Sequence, residues 1–131
     1  MNEKKLVDII EIRTEIRLRV QDIDDIMCTA LEGGINYWCN SAKVVGEYLG
    51  EYASEQIARG GELILHDVEG EELYSLTLPK LTKGIKRWLE EVGIQSEAID
   101  RYSVYLDCGM IDAEDADCII QYALFDEIIY G

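Results

Sequence analysis

The sequence predicts an α+β domain, with a mixed or antiparallel sheet of about four to five strands and three to four helices packed mainly on one face. Three observations predict it. Apolar and charged residues alternate over 7–20, the period of a strand. Apolar residues recur at helical spacing after residue 22, after residue 79 and after residue 112. The strand-like and helix-like stretches interleave irregularly, with no repeat, linker or low-complexity segment between them. The 131 residues suit one domain, 1–131. A chain of that length buries roughly two-thirds of the surface that its unfolded form exposes.

In the first strand, Ile10, Ile12, Ile16, Leu18 and Val20 share one parity, broken by Thr14, while Glu11, Arg13, Glu15, Arg17 and Arg19 take the other. A helix follows, with Asp22 as its N-cap and Ile23, Ile26, Met27, Ala30 and Leu31 as its buried stripe. Gly33 and Gly34 end it, glycine being the residue that accepts a left-handed cap. Tyr37, Trp38 and Cys39 read as core or pocket wall. Val44, Val45, Tyr48, Leu49 and Tyr52 fit helical spacing, but Gly46 and Gly50 break it. The expectation is a broken segment, then a short helix over about 51–59 closed by Gly60 and Gly61.

A hairpin is expected from strands at 63–67 and 72–77 around a loop containing Gly70. Pro79 opens a long helix with Leu81, Ile85, Trp88, Leu89 and Val92 inward, Lys80, Lys83, Lys86 and Arg87 outward, and Gly93 at its end. Residues 94–111 are irregular, with a short strand at 102–106. Asp112 caps a last helix whose inward residues are Ala113, Ala116, Ile120, Ala123 and Leu124. A closing strand at 128–130 would leave an edge suited to a homodimer.

Charge is the unusual property. Asp and Glu number 27 against 12 Lys and Arg, a formal net charge of −15. Such a field repels nucleic acid and anionic membranes and steers in a basic partner. No apolar run approaches the roughly 18–20 residues that cross a bilayer, and no signal-peptide pattern follows Met1, so a cytoplasmic protein with no membrane partner is expected. The cysteines, Cys28, Cys39, Cys108 and Cys118, form no C-x-x-C pair and read as reduced thiols.

The catalytic inventory is thin. His66 is the single histidine, and no nucleophile elbow, P-loop or dinucleotide fingerprint occurs. The cysteine spacings match no common zinc site. The chain is read as a non-enzyme without metal or cofactor. Two acidic clusters stand out: Asp22, Asp24 and Asp25, and Asp112, Glu114, Asp115 and Asp117. Both fall in first helical turns, where the helix dipole favours acids. Together they form the expected partner-binding set. An alternative is a ligand pocket of Tyr37, Trp38, Tyr48 and Arg59 for a small molecule or signalling nucleotide.

The stretches DIDDIMCTALEGGINYWC (22–39), VVGEYLGEYASEQIARGGELILHD (44–67) and DADCIIQYALFDEIIYG (115–131) resemble small acidic proteins encoded by phages, prophages and mobile elements of Firmicutes. The resemblance implies a phage or mobile-element context and brings no catalytic residues. Such proteins are often inhibitors of host defence nucleases, some of them imitating DNA. The leading expectation is an anti-defence, anti-CRISPR-like inhibitor that binds a basic, nucleic-acid-handling host protein such as a CRISPR effector. A non-inhibitory regulatory homodimer is a further alternative.

Overall fold

The computed structural model describes residues 3–12, 15–93, 98–100 and 104–131. The architecture is α+β. Helix α1 (Val20–Thr29) runs into a π-helical turn (Ala30–Gly34), then strand β1 (Cys39–Val44) and a 3-10 turn (Ala53–Glu55). Strands β2 (Leu63–Asp67) and β3 (Leu73–Leu76) lead to helix α2 (Leu78–Val92). A short ribbon, β4 (Ile99–Asp100) with β5 (Tyr105–Leu106), precedes a 3-10 turn (Cys108–Met110) and helix α3 (Ala113–Phe125).

The main sheet is antiparallel, in the order β1-β2-β3. Val44, Leu63 and Leu76 lie side by side on one face, as do Ala42, Leu65 and Tyr74. That face enters the core, where Leu63, Leu65 and Leu76 are buried. The opposite face carries Lys43, Ile64 and Ser75, and Ser41, His66 and Leu73. One contiguous core joins the inner face to Ile23, Ile26 and Met27 of α1, Leu81, Ile85 and Trp88 of α2, and Ile119 and Ile120 of α3.

Helix α2 has Thr77 as N-cap; Pro79 stands in its first turn and Gly93 closes it at φ 78, these two as the sequence predicts. It packs closely on α3 because Gly84 has no side chain. A Cβ there would stand 2.5 Å from the Ile119 carbonyl oxygen and 2.8 Å from the Ala123 Cβ. Helix α3 starts with a capping box: Asp112 accepts from the Asp115 N–H at 2.8 Å, and Asp115 accepts from the Asp112 N–H at 3.2 Å.

Several expectations are corrected. The strands divide between a three-stranded sheet and a separate two-stranded ribbon rather than forming one sheet of four to five. The strand expected at 7–20 does not form over the described part of that range. Residues 5–12 are neither helix nor strand, Arg17 makes a single parallel bridge to Tyr105, and Val20 already belongs to α1. Period-2 alternation needs a neighbouring strand to pair with, and among the described residues this segment has only that one bridge. The N-cap of α1 is Arg19; Asp22 stands three residues in and reaches back to the Arg19 N–H at 2.8 Å.

Gly33 and Gly34 do not cap α1 by a left-handed turn, since neither has positive φ. The helix winds on as a π turn in which the Ile35 N–H reaches the Ala30 carbonyl at 3.1 Å. Gly34 is required by space: a Cβ there would lie 2.7 Å from the Ala113 carbonyl oxygen. Strand β1 replaces part of the broken segment, and the helix expected at 51–59 is a single 3-10 turn followed by turns. Gly60 closes that region at φ 90. Val92 of α2 and Ala113 of α3 are exposed rather than inward. No strand forms at 128–130, so the dimer edge expected there is absent. Part of the 102–106 expectation lies outside the described residues; Tyr105 and Leu106 form β5.

Candidate interaction surface

Fold demands take up much of the first acidic cluster. Asp22 is buried, and Arg19 clamps its carboxylate through Nε at 3.1 Å and Nη2 at 3.2 Å. The Arg19 guanidinium also lies over the Tyr105 ring, 4.3 Å from its centre, tying the start of α1 to β5. Asp24 is buried too. It takes Arg59 Nη1 at 3.0 and 3.2 Å, joining α1 to the turn after Ala53–Glu55, and the same arginine reaches Glu55. Asp25 faces solvent and accepts from Gln21 Nε2 at 2.7 Å.

The second cluster divides in the same way. Asp112 and Asp115 form the capping box of α3. Partial burial pushes the Asp115 carboxyl up from its ordinary range, with Asp112 and Glu114 adding repulsion. Glu114 is exposed. Asp117 is buried, and its carboxylate accepts three hydrogen bonds: Tyr37 Oη at 2.6 Å, Trp38 Nε1 at 2.8 Å and Gln121 Nε2 at 2.9 Å. Gln121 Oε1 in turn accepts from the backbone N–H groups of Ile129 at 2.8 Å and Tyr130 at 2.9 Å. A side-chain amide therefore does for residues 129–130 what a strand ladder would have done. Tyr130 stacks on Trp38, with ring centres 4.7 Å apart and planes 3° apart, and donates to Asp67 at 2.9 Å.

The aromatic pocket of the sequence reading is not assembled as one polar site. The Tyr37 hydroxyl and Trp38 indole N–H are both committed to Asp117, Trp38 is buried, Tyr48 is exposed, and Arg59 serves Asp24 and Glu55. A cavity of about 480 Å³ lies beside β1 instead, lined by Leu31, Ile35, Asn36, Cys39, Asn40, Ser41, Ala42 and Ala53. Among the described residues, no charged side chain lines it.

The surface carries both signs, with exposed Lys43, Lys80, Lys83 and Lys86 beside a larger number of exposed acids. Among the described residues, the ion pairs join Arg19 to Asp22, Arg59 to Asp24 and Glu55, and Arg87 to Glu91. Asp25, Glu32, Asp112 and Glu114 are exposed. Asp25 and Glu32 are two helical turns apart on one stripe of α1 and its π turn. The close approach of Gly34 to Ala113 packs the buried side of the π turn against the head of α3. Glu32, an exposed acid outside both predicted clusters, lies on that stripe. Its signal was legible as an acid seven residues after Asp25.

The four cysteines are free, and each thiol is held above its ordinary pKa. Burial dominates at Cys39, Cys108 and Cys118, with Cys108 pushed up to about 12, while at Cys28 the hydrogen bond to Glu32 comes first. All four are weak nucleophiles at neutral pH. His66 Nδ1 lies 2.9 Å from Asn40 Oδ1. Among the described helices, none is long and apolar enough to cross a membrane. The chain matches no protein-family model, no curated protein and no solved structure.

Proposed function

We propose that this chain is a binding protein whose acidic surface occupies the Lys/Arg-lined nucleic-acid site of a basic partner, blocking it as an anti-defence inhibitor would. The observation that carries the reading is that Asp25, Glu32, Asp112 and Glu114 stay exposed on α1, its π turn and the start of α3, on a body of net charge −15. Carboxylates arrayed on rigid helices can take the charge-assisted hydrogen bonds that a basic channel offers to phosphates. The weak thiols and the His66–Asn40 contact support binding rather than catalysis. The resemblance to mobile-element proteins supports a host nuclease or CRISPR effector as the partner class.

The test uses the exposed acids, because Asp22, Asp24 and Asp117 hold the fold. The triple variant Asp25→Lys, Glu32→Lys, Glu114→Lys is immobilised beside the wild type and a charge-matched unrelated acidic protein. Expected is a basic nucleic-acid-binding protein retained by the wild type alone, released by salt, whose nucleic-acid binding the wild type inhibits. Equal retention on the wild type and the triple variant would overturn the reading.

A further inference from the structure

The loop between β1 and the Ala53–Glu55 turn puts large side chains into solvent. Val45 is 43% exposed, Tyr48 59%, Leu49 49% and Tyr52 62%. Two side chains hold it from beneath. Buried Gln56 donates to the Glu47 carbonyl at 3.1 Å and accepts from the Leu49 N–H at 2.9 Å. Glu55 accepts from the backbone N–H groups of Glu51 at 2.9 Å and Tyr52 at 3.0 Å. Glycines leave room for these struts: a Cβ on Gly50 would stand 2.6 Å from the Glu55 Cβ, and one on Gly61 would stand 2.4 Å from Gln56 Nε2. The loop is therefore a fixed support for exposed rings. Aromatic contacts held in place before binding lose little entropy on binding, which is why such residues anchor interfaces.

The rings come with carboxylates. Glu47 precedes Tyr48 and Glu51 precedes Tyr52, and all four are exposed. No Lys or Arg lies between Lys43 and Arg59, and Arg59 is committed to Asp24 and Glu55. Elsewhere the chain itself shows what a tyrosine and a carboxylate take together. The Arg19 guanidinium lies 4.3 Å from the centre of the Tyr105 ring while it pairs with Asp22. The Arg87 guanidinium lies 5.2 Å from the centre of the Tyr122 ring while it pairs with Glu91. Each of these arginines uses a ring face and a carboxylate at once. Among the described residues, Glu47, Tyr48, Glu51 and Tyr52 enter no ion pair and no ring contact. The loop thus carries both halves of the same clamp twice, and this chain supplies the arginine for neither.

We propose that the loop at residues 45–52 docks an arginine-bearing segment of a partner protein, with guanidinium groups on the Tyr48 and Tyr52 rings and against the Glu47 and Glu51 carboxylates. Arginine fits better than lysine. A planar, weakly hydrated guanidinium stacks on a ring and still bonds a carboxylate in its own plane, whereas an ammonium is a compact, strongly hydrated point charge. Val45 and Leu49 offer apolar contact to the aliphatic stems of the arginines. A body of net charge −15 steers a cationic segment in. The site uses none of Asp25, Glu32, Asp112 and Glu114, and the inference does not depend on the reading built on those acids.

Amide chemical shifts of the full chain test it, during titration with a capped Gly-Arg repeat peptide and with its Gly-Lys counterpart in 0.15 M salt, where diffuse attraction is screened. The arginine peptide is expected to shift the amides of residues 45–52 most and to bind more tightly than the lysine peptide. Tyr48→Leu with Tyr52→Leu keeps the net charge and the apolar bulk but removes the ring faces, and should weaken the arginine peptide about tenfold. Tyr48→Phe with Tyr52→Phe keeps the faces and should bind as the wild type does. The variant Asp25→Lys, Glu32→Lys, Glu114→Lys should still place its shifts at residues 45–52, which separates this site from the acids on α1 and α3. Shifts spread over exposed acids outside the loop, equal affinity for the two peptides, or equal affinity of the wild type and the Tyr→Leu variant would each overturn the proposal.

Discussion

At the scale of single residues, the chain spends carboxylates on structure before any is left for a partner. Asp117 is the clearest case, a buried carboxylate satisfied by a phenol, an indole and an amide. Asp117→Ala strands the buried Trp38 N–H and should cost about 1–3 kcal/mol in urea unfolding followed by tryptophan fluorescence. Asp25→Ala, at the surface, should stay within roughly 0.5 kcal/mol. The signal for Asp117 was present in the sequence, because Asp117 and Gln121 fall on the same helical stripe as Ala116 and Ile120. Acids in a first helical turn have a ready local explanation in the dipole, which hides a tertiary one. Tyr37 and Cys108 give a pH prediction. Burial, with Asp117 beside Tyr37 and Asp22 beside Cys108, pushes each up to about 12, above ordinary values of 10.0 and 9.0. The folded state therefore keeps these protons longer than the unfolded chain. Their contribution is fully present below pH 9 and is lost as pH rises to 12, so stability should fall steadily through that window. Equilibrium unfolding at pH 8, 10 and 11 checks it; stability flat across the three would refute it.

At the scale of elements, legibility depended on whether an element carries its own signal. Helix α2 was readable because proline, the apolar stripe and a terminal glycine all belong to one short stretch. The β2–β3 hairpin was readable because its turn is local. Strand β1 was not, because Cys-Asn-Ser-Ala-Lys-Val has no alternation and is held by β2, twenty residues further on. The N-terminal segment failed in the opposite direction: its alternation is strong, but among the described residues it pairs only through the Arg17–Tyr105 bridge. Residues 47–49 and 129–130 are held by the side chains of Gln56 and Gln121, which no periodicity reports. Glycine roles separate along the same line. Gly84→Ala forces a methyl to within 2.5 Å of the Ile119 carbonyl and should destabilise by about 1–3 kcal/mol. Gly33→Ala meets nothing within 4 Å, its φ is not positive, and it should stabilise the α1 extension by roughly 0.5–1 kcal/mol. Thermal unfolding of the two variants should move in opposite directions.

At the scale of the whole molecule, composition announced the field and the fold decided where it reaches the surface. A net charge of −15 on 131 residues repels itself, so the folded state carries an electrostatic cost that salt relieves. Raising salt from 10 mM to 0.15 M shortens the screening length from roughly 30 Å to about 8 Å, and Tm should rise. The triple variant Asp25→Lys, Glu32→Lys, Glu114→Lys removes two negative units at each site, taking −15 to −9. These side chains are exposed and none belongs to the capping box or to the buried Asp22, Asp24 and Asp117 sites, so their loss gives up only the surface Gln21–Asp25 and Cys28–Glu32 hydrogen bonds and the favourable place of Glu114 in the first turn of α3. The variant should melt above the wild type at 10 mM salt, with the gap closing at 0.15 M. If the acids are kept for a partner, the same variant that gains stability should lose the partner, the trade expected of a surface selected for binding. A variant that melts higher and still retains and inhibits the same basic protein would mean that the charge serves solubility alone.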